Sequence, residues 1–566
     1  MSQFNGIINR RDGSFSLYSE EIDITDPNSK FTAPNLYYSF NEKKCGYCVA
    51  GVGISKEDEK LILMGGDDWA IAAKSQGFTN LSGHFAGICI DDESIQFFTC
   101  NSGLRDLYFI IKEDYLFFTT NYHTLFKVEK PQIDLFSLGG RWLLYNQLQN
   151  HSLFLNYPRI CAGQKLLFNR KTGSIKIYPT PTFSYREHDD EAGVVKKVIK
   201  SIYQTCAVLA KSDRPLELSL SGGLDSRFLL NLLSTGEIPF SAHSFGNGDN
   251  LDVQIAAKIC SEMGVPFKNL QPAELTLDNA INDVRLQAQY SLLNHPATNQ
   301  NNLYYYKEVT KAGSPIIIDG GFGELWRRQF FYKLSVFGKK SNIDKDLFHT
   351  LNFFRHHRAD IFSAGALVEM EKGCLQDLQS LFHEYPHPSV FGIENWIDLI
   401  ALKTRLPNYY AQEQTMIDGV VTSIMPFVQE YVVKFLYSFP LMYRKDSRFF
   451  KETIYTMEPR LINFPLVKGA VTVPFHLGSF TSRIYSAIST KYRKKQLRGV
   501  DFENKKLLLL KEYAHDLSSS DVVRNSLLLD NKKVAKVLNY YNGDTSKKGE
   551  LAWLITMLAF LEAPTI

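Results

Sequence analysis

The sequence predicts two kinds of fold in one chain. A β-rich antiparallel sandwich comes first, and a parallel α/β sheet follows and passes into a largely helical region. Three observations carry that expectation. Up to about residue 180, short apolar runs recur between Gly, Asp and Asn breaks. From Glu191, long helical periods alternate with short apolar strands, as crossovers between parallel strands require. At 566 residues the chain exceeds the span of one core, so two or three domains are expected. The boundary is expected in the polar, proline-containing stretch 180–190, giving domains over 1–180 and 190–566.

In the first part, strands are expected at 47–52, 61–64, 85–90, 95–99, 107–111 and 116–119, with few helices. In the second, a helix over 194–210 precedes a strand over 216–220. The next helix carries Phe228, Leu229, Leu230, Leu232 and Leu233, and Gly236 stops it with Pro239 just beyond. A strand over 240–245 then leads through a polar turn into a helix with Leu251, Ile255, Ile259 and Met263 at four-residue intervals. Gly264 and Pro266 end it. A third strand is expected at 315–318, and most of the remainder reads as helix.

Hydrophobic content of 44% with 22% charged residues is that of a soluble globular protein. The net charge of +3 argues against a nucleic-acid coat. The first residues lack a basic segment followed by an apolar one, and the longest apolar stretch, 551–561, is too short for a bilayer. A cytoplasmic enzyme with no membrane or nucleic-acid partner is therefore expected. Eight cysteines in so long a chain do not make a disulfide framework. Cys45 and Cys48 have metal-like spacing, but no second such pair completes a site, so two buried thiols are expected there.

The chemistry concentrates at 215–228, PLELSLSGGLDSRF. A strand, the turn Ser221-Gly222-Gly223-Leu224-Asp225-Ser226 and a helix start follow one another. Two glycines admit a ligand close to the backbone, and the helix start aims unpaired N–H groups at it. Ser221 and Ser226 add hydroxyl donors, and Asp225 suits a magnesium ion accompanying a polyphosphate. No Gly-Lys-Ser/Thr follows, so this is not a Walker loop.

The string SGGLDS resembles the pyrophosphate loop of the ATP-pyrophosphatase superfamily, in particular asparagine synthetases and their relatives. That resemblance implies cleavage of ATP between its α- and β-phosphates, with the loop holding the departing pyrophosphate. It also implies an N-terminal domain of the Ntn-hydrolase, class II glutaminase type. Gly83-His84-Phe85-Ala86, Arg105 to Phe109, Thr119-Thr120-Asn121 and 158–163 are similar to that domain's motifs, in the same order. One departure is decisive: the family's nucleophilic cysteine is replaced by Ser2, and Gln3 replaces the small residue beside it. No Arg-Gly-Pro-Asp loop grips glutamine, and Gly65-Gly66-Asp67-Asp68 is the nearest trace of the family's Asn-Gly-Glu stretch. An inactive glutaminase scaffold is expected.

Across the second domain, the resemblance implies adenine and ribose contacts near Ser244 and Phe245. Asp319-Gly320-Gly321-Phe322-Gly323-Glu324 resembles the family's second acidic turn, which puts a magnesium ligand on Glu324 beside Asp225 and draws Gly320 to the nucleotide. Phe464 to Ala470 resembles the mobile segment that carries the family's catalytic lysine, here Lys468. The 404–408 and 425–427 motifs are also similar. The family's acid–base positions hold Gly321 and Thr422, so the general base is open, with Glu413, Tyr409 and Tyr410 nearby in sequence.

The expected activity is ATP-dependent amide formation: a carboxylate substrate is adenylated, an amine displaces AMP, and magnesium assists. With the cysteine absent, the chain is closer to β-lactam synthetases and lasso-peptide cyclases, whose substrate supplies its own amine. A precursor peptide and accessory peptide-processing proteins are then the expected partners. The alternatives are an ammonia-dependent asparagine-synthetase-like enzyme and a non-catalytic nucleotide-binding member. The basic run Lys491 to Arg498 reads as a solvated face or a dock for an acidic peptide.

Overall fold

A computed structural model of the chain describes residues 3–563 except 27–28, 30, 59, 76–77, 79–80, 180–190, 300–301, 312, 328–329, 332–333, 335–342, 497–501 and 543–546. The side chains of 191–192, 302, 492–496, 502 and 542 are likewise outside it. The linker expected at 180–190 therefore lies outside the described residues, as does Ser2.

The first part builds two antiparallel sheets. One has the order Arg159–Ile160, Leu107–Ile111, Tyr115–Thr119, Asn5–Asn9, Phe15–Ser19, Ile22–Asp23. The other runs Ile175–Tyr178, Lys165–Asn169, Ser94–Thr99, Ser82–Ile90, Gly46–Glu57, Leu36–Phe40, with Lys60–Leu63 also paired to Gly46–Glu57. Alternate residues of Asn5–Asn9 and Phe15–Ser19 are buried, so each strand commits one face to the core. Ile8, Leu17, Phe97, Phe109 and Phe118 belong to that core, with the Phe97 ring edge-on to Phe109 and Phe118. Five of the six expected strands lie within observed ones, and the sixth, 61–64, overruns Lys60–Leu63 by one residue; Asn5–Asn9, Phe15–Ser19, Ile22–Asp23, Leu36–Phe40, Arg159–Ile160, Lys165–Asn169 and Ile175–Tyr178 are additional.

The second part is organised on a five-stranded parallel sheet, ordered Phe267–Leu270, Ser241–Phe245, Leu216–Ser219, Ile316–Ile318, Thr422–Ile424. Ile316–Ile318 is wholly buried, as a central strand covered on both faces must be. The chain first adds strands on one side of Leu216–Ser219 and then returns to the other side with Ile316–Ile318. Such a reversal opens a crevice at the carboxyl ends of the two central strands. The turn 221–226 and the turn 319–324 both leave the sheet there.

Most of the other described residues of this part are helical. Ala401–Tyr410 is a π-helical stretch with Pro407 inside it, where proline removes an amide donor. Lys548–Glu562 buries Leu554, Ile555, Met557 and Leu558 completely and is a core helix. No described helix is long and apolar enough to cross a membrane. Leu135–Leu143 is begun by Asp134, whose carboxylate accepts from Phe136 N and Ser137 N. It lies against Ala364–Glu384 at glycine: a Cβ on Gly139 would come within 2.1 Å of Met370 O, and one on Gly373 within 2.4 Å of Phe136 Cα. All eight cysteines are free thiols. Cys48 is buried, but Cys45 is partly exposed and donates to Asp92 at 3.4 Å, which corrects the expectation of two buried thiols.

Candidate functional site

The crevice at the sheet reversal is a cleft of about 590 Å³. Its wall includes Ser221, Gly223, Leu224, Asp225 and Ser226 of the phosphate-loop candidate. The loop is braced by its own serines. Ser221 N donates to Ser226 Oγ (3.1 Å), Gly223 N donates to Ser221 Oγ (3.1 Å), and the two hydroxyls are 3.0 Å apart. Gly222 N donates to Asp252 Oδ1 at 2.7 Å. The helix Asp225–Thr235 begins without a side-chain cap, and its first-turn amides have no intrahelical carbonyl to bond. Gly320 of the facing turn allows close approach, since a Cβ there would meet Ser226 N at 3.0 Å.

The second turn brings acids to the same wall, where Asp319 and Glu324 line the cleft. Gly323 packs onto Asp225, because a Cβ on it would sit 2.5 Å from Asp225 Cγ. Asp225 Oδ2 accepts from Arg327 at 2.5 Å, while its buried Oδ1 has no partner. Burial pushes the Asp225 carboxyl up to about 6; Arg327 opposes that shift and the neighbouring Glu324 charge adds to it. Among the described residues no cluster of three or more His, Cys, Asp or Glu could hold a metal ion alone. Magnesium needs only one or two carboxylates when phosphates and water complete its shell, so the orphaned Asp225 Oδ1 and the adjacent Glu324 suit it.

Lys468 reaches the cleft from a short hairpin, Leu466–Lys468 with Val471–Val473. Two devices hold the hairpin to the loop. Val467 N donates to Gly222 O at 3.0 Å. The buried Arg227 guanidinium donates to the carbonyls of Leu461, Phe464, Pro465 and Gly222 at 2.7–3.3 Å. Gly469 turns the hairpin at φ 58°. The Lys468 ammonium donates to Ser482 Oγ at 2.5 Å, and burial, then Arg327 and Arg483, hold its pKa below the usual lysine value.

Three further cations line the cleft: Arg327, Lys451 and Arg483. Sequence reasoning missed them, and it missed Asp252. They come from four separate segments, and no local spacing connects them to SGGLDS. The Lys451 ammonium donates to Leu477 O at 2.6 Å, and burial lowers its pKa, with Lys468 adding to the effect.

No family model matches the chain, and no curated protein matches it. Two of the solved structures that match are the following. Glutamine phosphoribosylpyrophosphate amidotransferase from B. subtilis, complexed with ADP and GMP, is 9% identical over 47% of this chain, with a TM-score of 0.18. A structure of the allosteric regulatory enzyme of purine biosynthesis is 10% identical over 60% of this chain and 72% of its own, with a TM-score of 0.19. The chain spans 59% of the first of these. Likeness at that TM-score is too slight to fix fold or chemistry.

Other residues singled out in the sequence do not line the cleft. Glu413 lines a separate, small cavity with His295, Asn294 and Gln412. The Tyr409 ring lies under the Arg405 guanidinium (4.4 Å) and beside His295. Ser244 is buried within its strand, and Phe245 packs against Tyr305 and Tyr306 at 4.7 and 5.4 Å. Gly321 has no room for a side chain, because a Cβ would lie 2.6 Å from Met425 Sδ. Thr422 opens its strand at the end away from the cleft, where Oγ1 donates to Asn35 Oδ1 (2.6 Å) and accepts from Arg214 (2.7 Å).

Proposed function

We propose that the protein is an ATP-dependent, AMP-forming amide ligase related to asparagine synthetases, with an ATP-pyrophosphatase-type domain over 190–566. The domain over 1–180 is an Ntn-type scaffold that does not supply ammonia. One observation carries this reading. An uncapped helix start, two adjacent carboxylates and four cations meet in one cleft at the reversal of a parallel sheet.

In this reading ATP is a substrate whose β- and γ-phosphates rest on residues 221–226, with Lys451, Arg327, Arg483 and Lys468 around them. An oxygen of the substrate carboxylate attacks the α-phosphorus. The bond to the bridging oxygen breaks, and its electrons leave with pyrophosphate into the cationic wall. An amine then attacks the acyl carbon and AMP departs. Magnesium, held by Asp225 and Glu324, would neutralise charge on the leaving phosphates. Lys468 faces charge that develops during transfer, where a fixed cation in a poorly hydrated site acts most strongly. With no cysteine nucleophile to release ammonia, the amine comes from the substrate itself, as in a precursor peptide closed on its own side chain.

The test is formation of AMP and pyrophosphate from Mg·ATP, first with candidate precursor peptides and then with aspartate plus ammonium. AMP formation with loss of one water from a peptide is the expected result. Asp225→Asn should abolish it. Lys468→Gln should lower the rate roughly 10²-fold while leaving the Mg·ATP dissociation constant within a fewfold of wild type. Release of ADP in place of AMP, or failure of the wild-type chain to bind Mg·ATP, would overturn the assignment.

A further inference from the structure

The proposed function leaves Asp252, an acid of the cleft wall, without a role. Asp252 lies in the first turn of the helix Leu251–Met263, and Asn250 Oδ1 caps its own amide at 2.8 Å. Its Oδ1 accepts the Gly222 N–H, the first glycine amide of the loop. Gly222 cannot turn away from it. The hairpin holds Gly222 from the other side, so a Cβ there would meet Val467 Cγ2 at 2.2 Å and Asp252 Oδ1 at 3.3 Å. Among the described ion pairs, Asp225 is matched by Arg327 and none engages Asp252. Asp252 thus lines the cleft as a carboxylate facing the phosphate loop, on an amide that a phosphate oxygen would otherwise take.

We propose that Asp252 is a release residue: its negative charge competes with bound pyrophosphate for the loop and drives the leaving group out after adenylation. This rests on the ligase reading, because only an AMP-forming reaction leaves pyrophosphate on the loop. The cations of the cleft favour departure of pyrophosphate from the α-phosphorus, but they would also retain it as a tight product. A carboxylate already bonded to the loop re-forms its contact when the product leaves, so the empty loop has no amide left unsatisfied at Gly222. Each turnover then ends with a state that is hydrogen-bonded from within.

Titration calorimetry of the full chain with Mg·pyrophosphate tests this, using wild type, Asp252→Asn and Asp252→Ser. Both variants keep an oxygen acceptor for Gly222 N–H and lose the charge. A thermal melt shows which of them retains the native transition, and that one is read. Removal of one like charge at a partly screened site is expected to tighten binding about tenfold. A merely structural prop would predict unchanged or weaker binding in the variants. That result, with wild type still binding Mg·ATP, overturns the proposal and spares the ligase reading. Binding of neither Mg·ATP nor Mg·pyrophosphate by wild type removes the ligase reading and this inference together.

Discussion

Charge at buried single residues sets much of this protein's expected response to pH. Asp225 must be ionised to serve a cation, yet burial pushes its carboxyl up to about 6. Affinity for Mg·ATP should therefore rise as pH climbs through about 6, measured by calorimetry at constant ionic strength. Asp377 offers a stability test away from the cleft. Burial pushes its carboxyl up to about 7, with Asp134 and Glu384 adding to the shift. An unfolded aspartate titrates near 3.9, so the folded chain retains a proton that the unfolded chain loses. That contribution is complete below about pH 4 and is lost as pH rises to about 7. Asp377→Asn cannot ionise, so its melting temperature should exceed that of wild type at pH 8, and the gap should close towards pH 4. Residue-level chemistry of this kind was legible in the sequence where one short string carries it. Ser221, Asp225 and Lys468, which line the cleft, could be singled out from their immediate neighbours. Arg327, Lys451, Arg483 and Asp252 were not, because only the tertiary fold brings their segments together.

At the scale of elements, the hairpin that presents Lys468 depends on a single side chain. Arg227 sits inside the helix that follows the loop, and its guanidinium donates to three carbonyls of the segment entering the hairpin and to Gly222 O of the loop. The side chain is fully buried, and that burial lowers its pKa to about 9. Arg227→Met keeps the apolar stem and removes the donors. It should cost roughly 3–5 kcal/mol, as other broken buried polar networks do. Limited proteolysis should then cut between Phe464 and Gly478 faster than in wild type. An unchanged cleavage rate would mean that Val467 N and the apolar contacts hold the hairpin alone. The strand, loop and helix around SGGLDS were readable because hydrophobic periodicity changes from two to about 3.6 across the turn. The hairpin was not, since each of its strands is three residues long and only pairing defines it. Phe15–Ser19 and Lys165–Asn169 escaped for a related reason. Each alternates over only five residues, and that signal is no stronger than in an irregular loop.

Across the whole molecule, the two sequence-defined parts share their interior. Tyr47, Val52, Trp69 and Phe85 of the first part belong to one apolar cluster with Val198, Ile202, Leu406 and Phe427 of the second. A second cluster joins Tyr108, Trp142 and Phe154 to Val284, Leu551 and Phe560. A buried polar seam also joins the two parts. Asp418 accepts from Arg105 Nε (3.1 Å), His84 Nε2 (2.9 Å) and Gln414 Nε2 (2.8 Å), and none of these side chains is appreciably exposed. Asp106 pairs with Arg159 at 3.0 Å and accepts from Gln412 Nε2 at 2.9 Å. Such a seam adds little net stability against an apolar one but fixes a single docking geometry, because removing any member strands the rest. Composition marked the change of pattern near residue 180, yet a boundary in sequence does not require a boundary in the core. Expressed separately, residues 1–180 and 191–566 should each expose apolar faces that are buried in the full chain, bind a hydrophobic dye and aggregate. The full chain should melt in one transition, and Asp418→Asn should lower that transition without splitting it. Two separate transitions in wild type, or a soluble, dye-silent 1–180 fragment, would show that the halves fold independently and that the seam is only a contact between them.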